Sequence, residues 1–383
     1  MGNPLTRKTK MPPTVPDIEP GNLAEQALDR AREVAASVPE IGRALFDVVR
    51  REFISEHTPE DEAFEQRLGC EVLMTDTTTD VQGERREHRY VRIPIDDSEH
   101  HGWFTKAKDD YDTGITLIVK PGLGEIVDDG IGEDLHKHLA DMLPGFDIFS
   151  HESAGMGHFV QDTSLGDLWE HGIDKMTEEG LELIKRLCPD RKIVLFGTSM
   201  GTIINTRLAN RNLALPKDER VDIERLIHYD PALVDPSRIA DMLLGFLPEL
   251  ITGAFKEFAF QTNPKRWLHA ARTLVRSKPS ARNAVPMLRQ TFDIVHCTSE
   301  VDIINPILRY KTDVIAGKRG KVEQNQMWLR LTTLLPNLTY YPVEGRGHAM
   351  AMNPFKTARK AAKIMVAEGV HPPVFVPDKQ QAA

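Results

Sequence analysis

Short apolar runs separated by helical stretches set the strongest limit on what this chain can fold into. Ile115 to Val119, Phe146 to Phe149, Ile193 to Phe196 and Leu226 to Tyr229 are four or five residues long and largely apolar. A strand wet on one face alternates polar and apolar residues, so a continuous run signals a strand buried on both faces. Helical spacing fills the gaps, through Leu135, Leu139 and Leu143 and again from Ile173 to Leu187. The pattern predicts an α/β chain with a mostly parallel central sheet flanked by helices.

The flanks read differently. Residues 1–21 hold five prolines and few large apolar groups, as in a disordered tail. An N-terminal helical extension is expected over 22–70, with Leu23, Ala27, Ala31 and Val34 at helical spacing. A second helix starts at Thr58-Pro59-Glu60, where Thr suits the N-cap and Pro the first turn. From Cys70 to about Lys108 the texture is strand-like. The sheet domain is expected over 71–236 and 289–372, interrupted at 237–288 by a helical cap, with a tail at 373–383. Its second part is expected to hold strands near Val295, in "FDIVH", and near Tyr341, then a closing helix from Thr357 to Glu368.

Composition excludes several function classes. A net charge of -9 and a pI near 5.9 leave no basic face for nucleic acid. Cys70, Cys188 and Cys297 have no paired spacing, which suits a reducing compartment and gives no zinc signature. No apolar run approaches the roughly 18 residues that span a bilayer, and the N-terminus lacks the apolar stretch of a signal peptide. Gly2 and Thr6 match a myristoylation pattern too short to weigh against chance. The expectation is a soluble cytoplasmic protein without a membrane span. His136, His138, His151, His158 and His171 form no ligand pattern with a third partner, so no metal is expected. "IVKPGLGEIVDDGIG" places Val127 where a dinucleotide loop needs its third glycine, and no Gly-Lys-Ser/Thr occurs. No cofactor is expected.

In parallel α/β sheets reactive groups collect on loops at the carboxyl ends of strands. Ser199 follows the run ending at Phe196, in "GTSMG". Asp302 follows the strand expected near Val295, and His348 the one near Tyr341. A serine hydroxyl needs a base within hydrogen-bond reach, and that base needs a carboxylate to hold its tautomer and stabilise the imidazolium. Glycines two residues either side of the serine suit a strand-to-helix turn too tight for side chains. The following helix points backbone N–H groups at developing negative charge.

Over residues 85–370 these segments resemble the α/β-hydrolase superfamily. "VLFGTSMGT" is similar to its nucleophile elbow, "CTSEVDIINP" to its acid loop with Pro306 downstream of Asp302, and "VEGRGHAMAMNP" to its histidine loop. "SHESAGMGHF" resembles the loop after the family's fourth strand, with Glu152 in the acidic place. The resemblance implies catalytic Ser199, Asp302 and His348, with the backbone N–H of Met200 and of Leu123 as oxyanion donors. The loop reads Pro121-Gly122-Leu123-Gly124 rather than His-Gly, and Thr202 stands where relatives commonly have glycine. Asp230, in "HYDPAL", is the rival acid. Asp302 is preferred for Pro306 and for its place after the expected seventh strand.

The resemblance implies a serine esterase acting on a small-molecule ester. Asp241 to Gln261, rich in Leu and Phe, would make a cap favouring an apolar acyl group. Thioester or carbon–carbon bond hydrolysis on the same triad, and a silent fold used for binding, are the alternatives. The oligomeric state is open.

Overall fold

The computed structural model describes residues 58–80, 83–95, 98–122, 127, 130–152, 166, 169, 172–232, 281–296, 300–317, 325–344 and 353–367. The chain divides into two units, Met1–Thr58 and Pro59–Ala383, and all the described residues but Thr58 belong to the second.

Among the described residues the second unit is built on a nine-stranded sheet with the spatial order β1-β2-β3-β5-β4-β6-β7-β8-β9. The strands are β1 Glu71–Thr79, β2 Arg85–Ile95, β3 Ser98–Thr105, β4 Ile115–Lys120, β5 Phe146–His151, β6 Lys192–Thr198, β7 Ile223–Tyr229, β8 Lys311–Gly317 and β9 Leu338–Val343. The pairs β1–β2, β2–β3 and β3–β5 are antiparallel. All pairs from β5 through β4 to β9 are parallel. The described helices are α1 Pro59–Leu68, α2 Gly130–Met142, α3 Ile173–Leu187, α4 Met200–Ala214, α5 Ala281–His296, α6 Glu300–Arg309, α7 Asn325–Leu334 and α8 Pro354–Ala367.

The strand period of two explains how one apolar run serves two cores. In β4, Leu117 and Val119 join the cluster formed with Leu135 and Leu139 of α2 and Ala358, Ala361 and Met365 of α8. Ile118, between them, joins Leu181 and Ile184 of α3 and Leu208 of α4 on the other face. The same division separates Val194 and Phe196 from Ile193 and Leu195 in β6. Helix α1 is tied to the hairpin by Asp61, which accepts from Arg89 Nε at 2.7 Å and from the Thr75 hydroxyl, and by Phe64, whose ring centroid lies 5.1 Å from that of Phe104.

One expectation is corrected. "TFDIVH" is not a strand: it forms the end of α5, which runs across the expected 288/289 boundary. Asp293 within it accepts from Ile173 N at 2.8 Å, capping the first turn of α3, while Ile294 packs against the sheet. The sheet resumes at β8, "KTDVIAG", whose apolar run is short. Its Asp313 is buried opposite Arg225 of β7 at 3.2 Å, a long-range pairing that a local pattern cannot show. Most of the cap expected over 237–288, and the tails, lie outside the described residues.

The face under α2 carries a buried polar chain. His88 Nε2 contacts the Thr78 hydroxyl at 2.8 Å and His88 Nδ1 the Thr105 hydroxyl at 2.7 Å. The Thr105 hydroxyl meets His136 Nε2 at 2.7 Å, and His136 Nδ1 meets the Ser150 hydroxyl at 2.9 Å. Burial drives His88 down to about 3 and His136 well below the usual histidine value, so both are neutral in the fold. The unfolded chain takes up these protons near pH 6.5, so stability is complete above that value and lost as pH falls toward 3. For His88 alone the loss is roughly 3 kcal/mol by pH 4. The urea midpoint is expected to drop between pH 7 and pH 4, and His88→Gln to lower it at pH 7 while flattening that drop.

Candidate active site

Ser199 sits between the last residue of β6 and the first of α4, and it is partly exposed. Its backbone is at φ 48°, ψ −115°, a conformation that costs a non-glycine residue about 1–3 kcal/mol. Close packing enforces it. A Cβ on Gly197 would lie 2.6 Å from Gly201 C, and one on Gly201 would lie 2.2 Å from Lys120 O and 2.7 Å from Pro121 O. Glycine at both places lets α4 start directly over the ends of β4 and β6. The Ser199 carbonyl accepts from Thr202 N at 3.1 Å and from the Thr202 hydroxyl at 2.6 Å, so the threonine side chain is accommodated at the start of α4.

Among the described residues, one other non-glycine residue has a positive φ, Asp230 at 54°. It follows β7 on the adjacent strand end. Ser199 N donates to Tyr229 O at 3.0 Å, Ala232 N to Ser199 O at 3.3 Å, and Asp230 N to Ile315 O of β8 at 2.7 Å. These bonds bracket both strained residues in one small region. Asp230 is fully buried.

Asp302 is elsewhere. It lies on α6, before β8, and no strand precedes it in the way the sequence suggested. Its carbonyl accepts from Asn210 Nδ2 at 2.6 Å. Asn210 is ten residues beyond Met200 on α4, roughly 15 Å along the helix at 1.5 Å per residue. The structure therefore brings Asp302 to the far half of α4 and Asp230 to its start. Counted from β2, the strand carrying Asp230 is the sixth and β8 is the seventh. The segment after β8, "KRGKVEQ", has Glu323 as its carboxylate and lies outside the described residues.

Met200 begins α4 and is fully buried. Leu123 and His348 lie outside the described residues, although the chain on either side of each is placed. The parallel register sets Thr198, Tyr229, Ile315 and Tyr341 abreast across β6 to β9. Neighbouring strands are about 4.8 Å apart, so β9 is some 14 Å from β6. Seven residues of chain from Tyr341 to His348 reach up to about 23 Å.

Below the elbow lies a group that the sequence left without a role. Lys120, the last residue of β4, points its side chain into the layer between the sheet and α3, where burial drives its amine down from 10.5 to about 7. Its Nζ contacts His151 Nδ1. The next residue, Glu152, accepts from Val127 N at 2.7 Å, across the loop that follows Lys120. Among the described residues no group of three or more His, Cys, Asp or Glu is arranged to hold a metal ion.

The crowding at Gly201 is directly testable. Gly201→Ala is expected to lower stability by about 1–3 kcal/mol through backbone overlap with Lys120 and Pro121. Gly180→Ala, whose added carbon meets Leu208 at 3.4 Å, is expected to cost much less. Urea midpoints of the two variants check this.

No protein-family model and no curated protein matches the sequence. Solved structures do match in shape. A membrane phospholipase A, described as a bacterial virulence factor, is 17% identical, with a TM-score of 0.51 over 90% of this chain and 97% of its own. The enol-lactonase from Burkholderia xenovorans LB400 is 14% identical over 73% of this chain and all of its own, with a TM-score of 0.49. A thioesterase domain from the curacin biosynthetic pathway is 13% identical, with a TM-score of 0.49 over 73% of this chain and 99% of its own. At such identities the likeness is one of fold. On its parallel sheet, its serine turn between β6 and α4 and this likeness in shape, the chain has the α/β-hydrolase fold.

Proposed function

We propose that the chain is a serine hydrolase in which Ser199 attacks a carbonyl, His348 moves the proton and Asp230 holds His348. The observation that carries this reading is the pair of strained, non-glycine backbones at neighbouring strand ends, Ser199 and Asp230. Strain of this kind persists where the surroundings over-determine it, and catalytic turns are where it collects. In the elbow Ser199 is lifted off the strand end, and Met200 N–H starts a helix whose dipole favours the negative charge of a tetrahedral intermediate. The second donor falls to the backbone of Leu123.

Asp230 replaces Asp302 as the proposed acid because it is one strand away from Ser199, whereas Asp302 lies along α6 beside Asn210. His348 has enough chain to cross from β9 to the elbow. A carboxylic ester is the proposed substrate. The preference for an apolar acyl group rests on the composition of Asp241 to Gln261 alone.

A fluorophosphonate probe is expected to label the protein, and Ser199→Ala to abolish the label. Asp230→Asn is expected to slow labelling by about 10⁴-fold, the scale on which a triad loses its tautomer control. Asp302→Asn and Glu323→Gln are expected to stay within threefold of the parent. Loss of labelling in either of these with retention in Asp230→Asn would move the acid. With acyl esters of rising chain length, kcat/KM is expected to rise beyond the short acyl chains; a flat series removes the apolar preference.

A further inference from the structure

Lys120 begins a buried sequence of contacts that runs from the elbow to the protein surface. Its Nζ meets His151 Nδ1, and His151 Nε2 meets His100 Nδ1 at 2.9 Å. His100 Nε2 stands 3.6 Å from Glu179 Oε2, just beyond hydrogen-bond distance. Glu179, on α3, also accepts from the Ser98 hydroxyl at 2.6 Å and pairs with the half-exposed Lys175 at 3.7 Å. Lys120, His151 and His100 are all buried.

The donor and acceptor roles along this sequence depend on one another. A protonated Lys120 has only hydrogens to offer, so His151 Nδ1 must accept and His151 carries its proton on Nε2. That proton faces His100 Nδ1, which must accept in turn, so His100 presents Nε2–H toward the Glu179 carboxylate. Every contact is then favourable, and the Lys120 and Glu179 charges are linked through two neutral rings. When Lys120 gives its proton to solvent, the neutral amine keeps two hydrogens and can still donate one to His151 Nδ1, but the hydrogen bond is no longer charge-assisted. The positive charge that ordered both rings and faced the Glu179 carboxylate through them is then gone. The second arrangement is the poorer one, and it differs from the first by one proton.

The near end of this sequence is mechanically joined to the elbow. The carbonyls of Lys120 and Pro121 abut Gly201 so closely that no Cβ fits between them, and Gly201 follows the proposed oxyanion donor Met200. Resting on the serine-hydrolase reading, we infer that Lys120, His151, His100 and Glu179 are positioning residues. They hold the first turn of α4 in its reactive geometry while Lys120 is protonated and relax it when Lys120 loses its proton.

The ionisable groups around Lys120 among the described residues are few. They are His151 from β5, His100 and His101 from β3, and Glu179 with Lys175 from α3. From α4, the neighbour beside Gly180 is the apolar Leu208. Burial drives the Lys120 amine down and the Glu179 charge holds it up, which puts its proton loss at about 7. Removing the Glu179 charge must therefore move that loss to lower pH.

The test is the second-order rate of fluorophosphonate labelling of the full chain from pH 5.5 to 9.5. The wild type is expected to show an acid limb from the base and an alkaline limb near pH 7. Glu179→Gln, which alters only the outer end, is expected to move the alkaline limb down by roughly 0.5–1 unit. Lys120→Met is expected to lose that limb and to label about tenfold more slowly at pH 6.5, a fraction of what removal of an oxyanion donor costs. Should Lys120→Met not fold, as judged by circular dichroism, the shift in Glu179→Gln decides. Labelling of Ser199 with an alkaline limb that Glu179→Gln leaves in place overturns the inference alone. Absence of labelling at every pH overturns the serine-hydrolase reading and the inference with it.

Discussion

The crossing of α4 over the ends of β4 and β6 is the contact on which the other features depend. Gly197 and Gly201 let the helix approach until backbone touches backbone, and the chain can then turn from strand to helix within one residue. The cost is the strained Ser199, about 1–3 kcal/mol. The same approach buries Ile203, Ile204 and Leu208, each worth about 1.5–3 kcal/mol. Burial therefore outweighs strain, and the turn is held from below by packing.

Both faces of the sheet carry polar side chains in places where an all-apolar core would be simpler. Under α2 they are Thr78, His88, Thr105, His136 and Ser150; under α3 they are Lys120, His151, His100 and Glu179. Buried polar groups are tolerated when each finds a partner, and ring nitrogens and hydroxyls can reverse roles to do so. The two sets differ in charge. The first is neutral throughout and works as a fixed spacer between hairpin and helix. The second ends in an amine and a carboxylate, so its arrangement depends on how many protons it holds.

Much of this architecture can be read from the sequence because strands buried on both faces leave unbroken apolar runs. The strands ending at Val119, Phe149, Phe196 and Tyr229 were legible for that reason, and α3 was legible at both ends. Where apolar runs mislead, tertiary partners are the cause. "FDIVH" has strand-like density, yet its Asp293 is the cap of α3 and its place is in a helix. β8 looks too polar for a central strand because Asp313 is compensated by Arg225 from another part of the chain. Losing one strand and gaining a false one left the strand count unchanged, which is how Asp302 came to be placed after a seventh strand that the structure forms instead at β8. Ser199 was legible locally, since its turn is built from adjacent residues. The Lys120–Glu179 sequence of contacts was not, because its members come from four separate elements.

Among the described residues the far edge of the sheet is formed by β9, which pairs with β8 alone and holds an exposed Pro342. Proline has no N–H and so cannot extend a ladder of backbone hydrogen bonds. A second chain arriving at this edge would meet a strand missing a donor near its carboxyl end. The edge is thereby a poor template for edge-to-edge growth, which is how many sheet proteins keep from polymerising. Pro342 sits two residues before the loop that leads to His348, so the same short strand both delivers that loop and closes the sheet against its own copies.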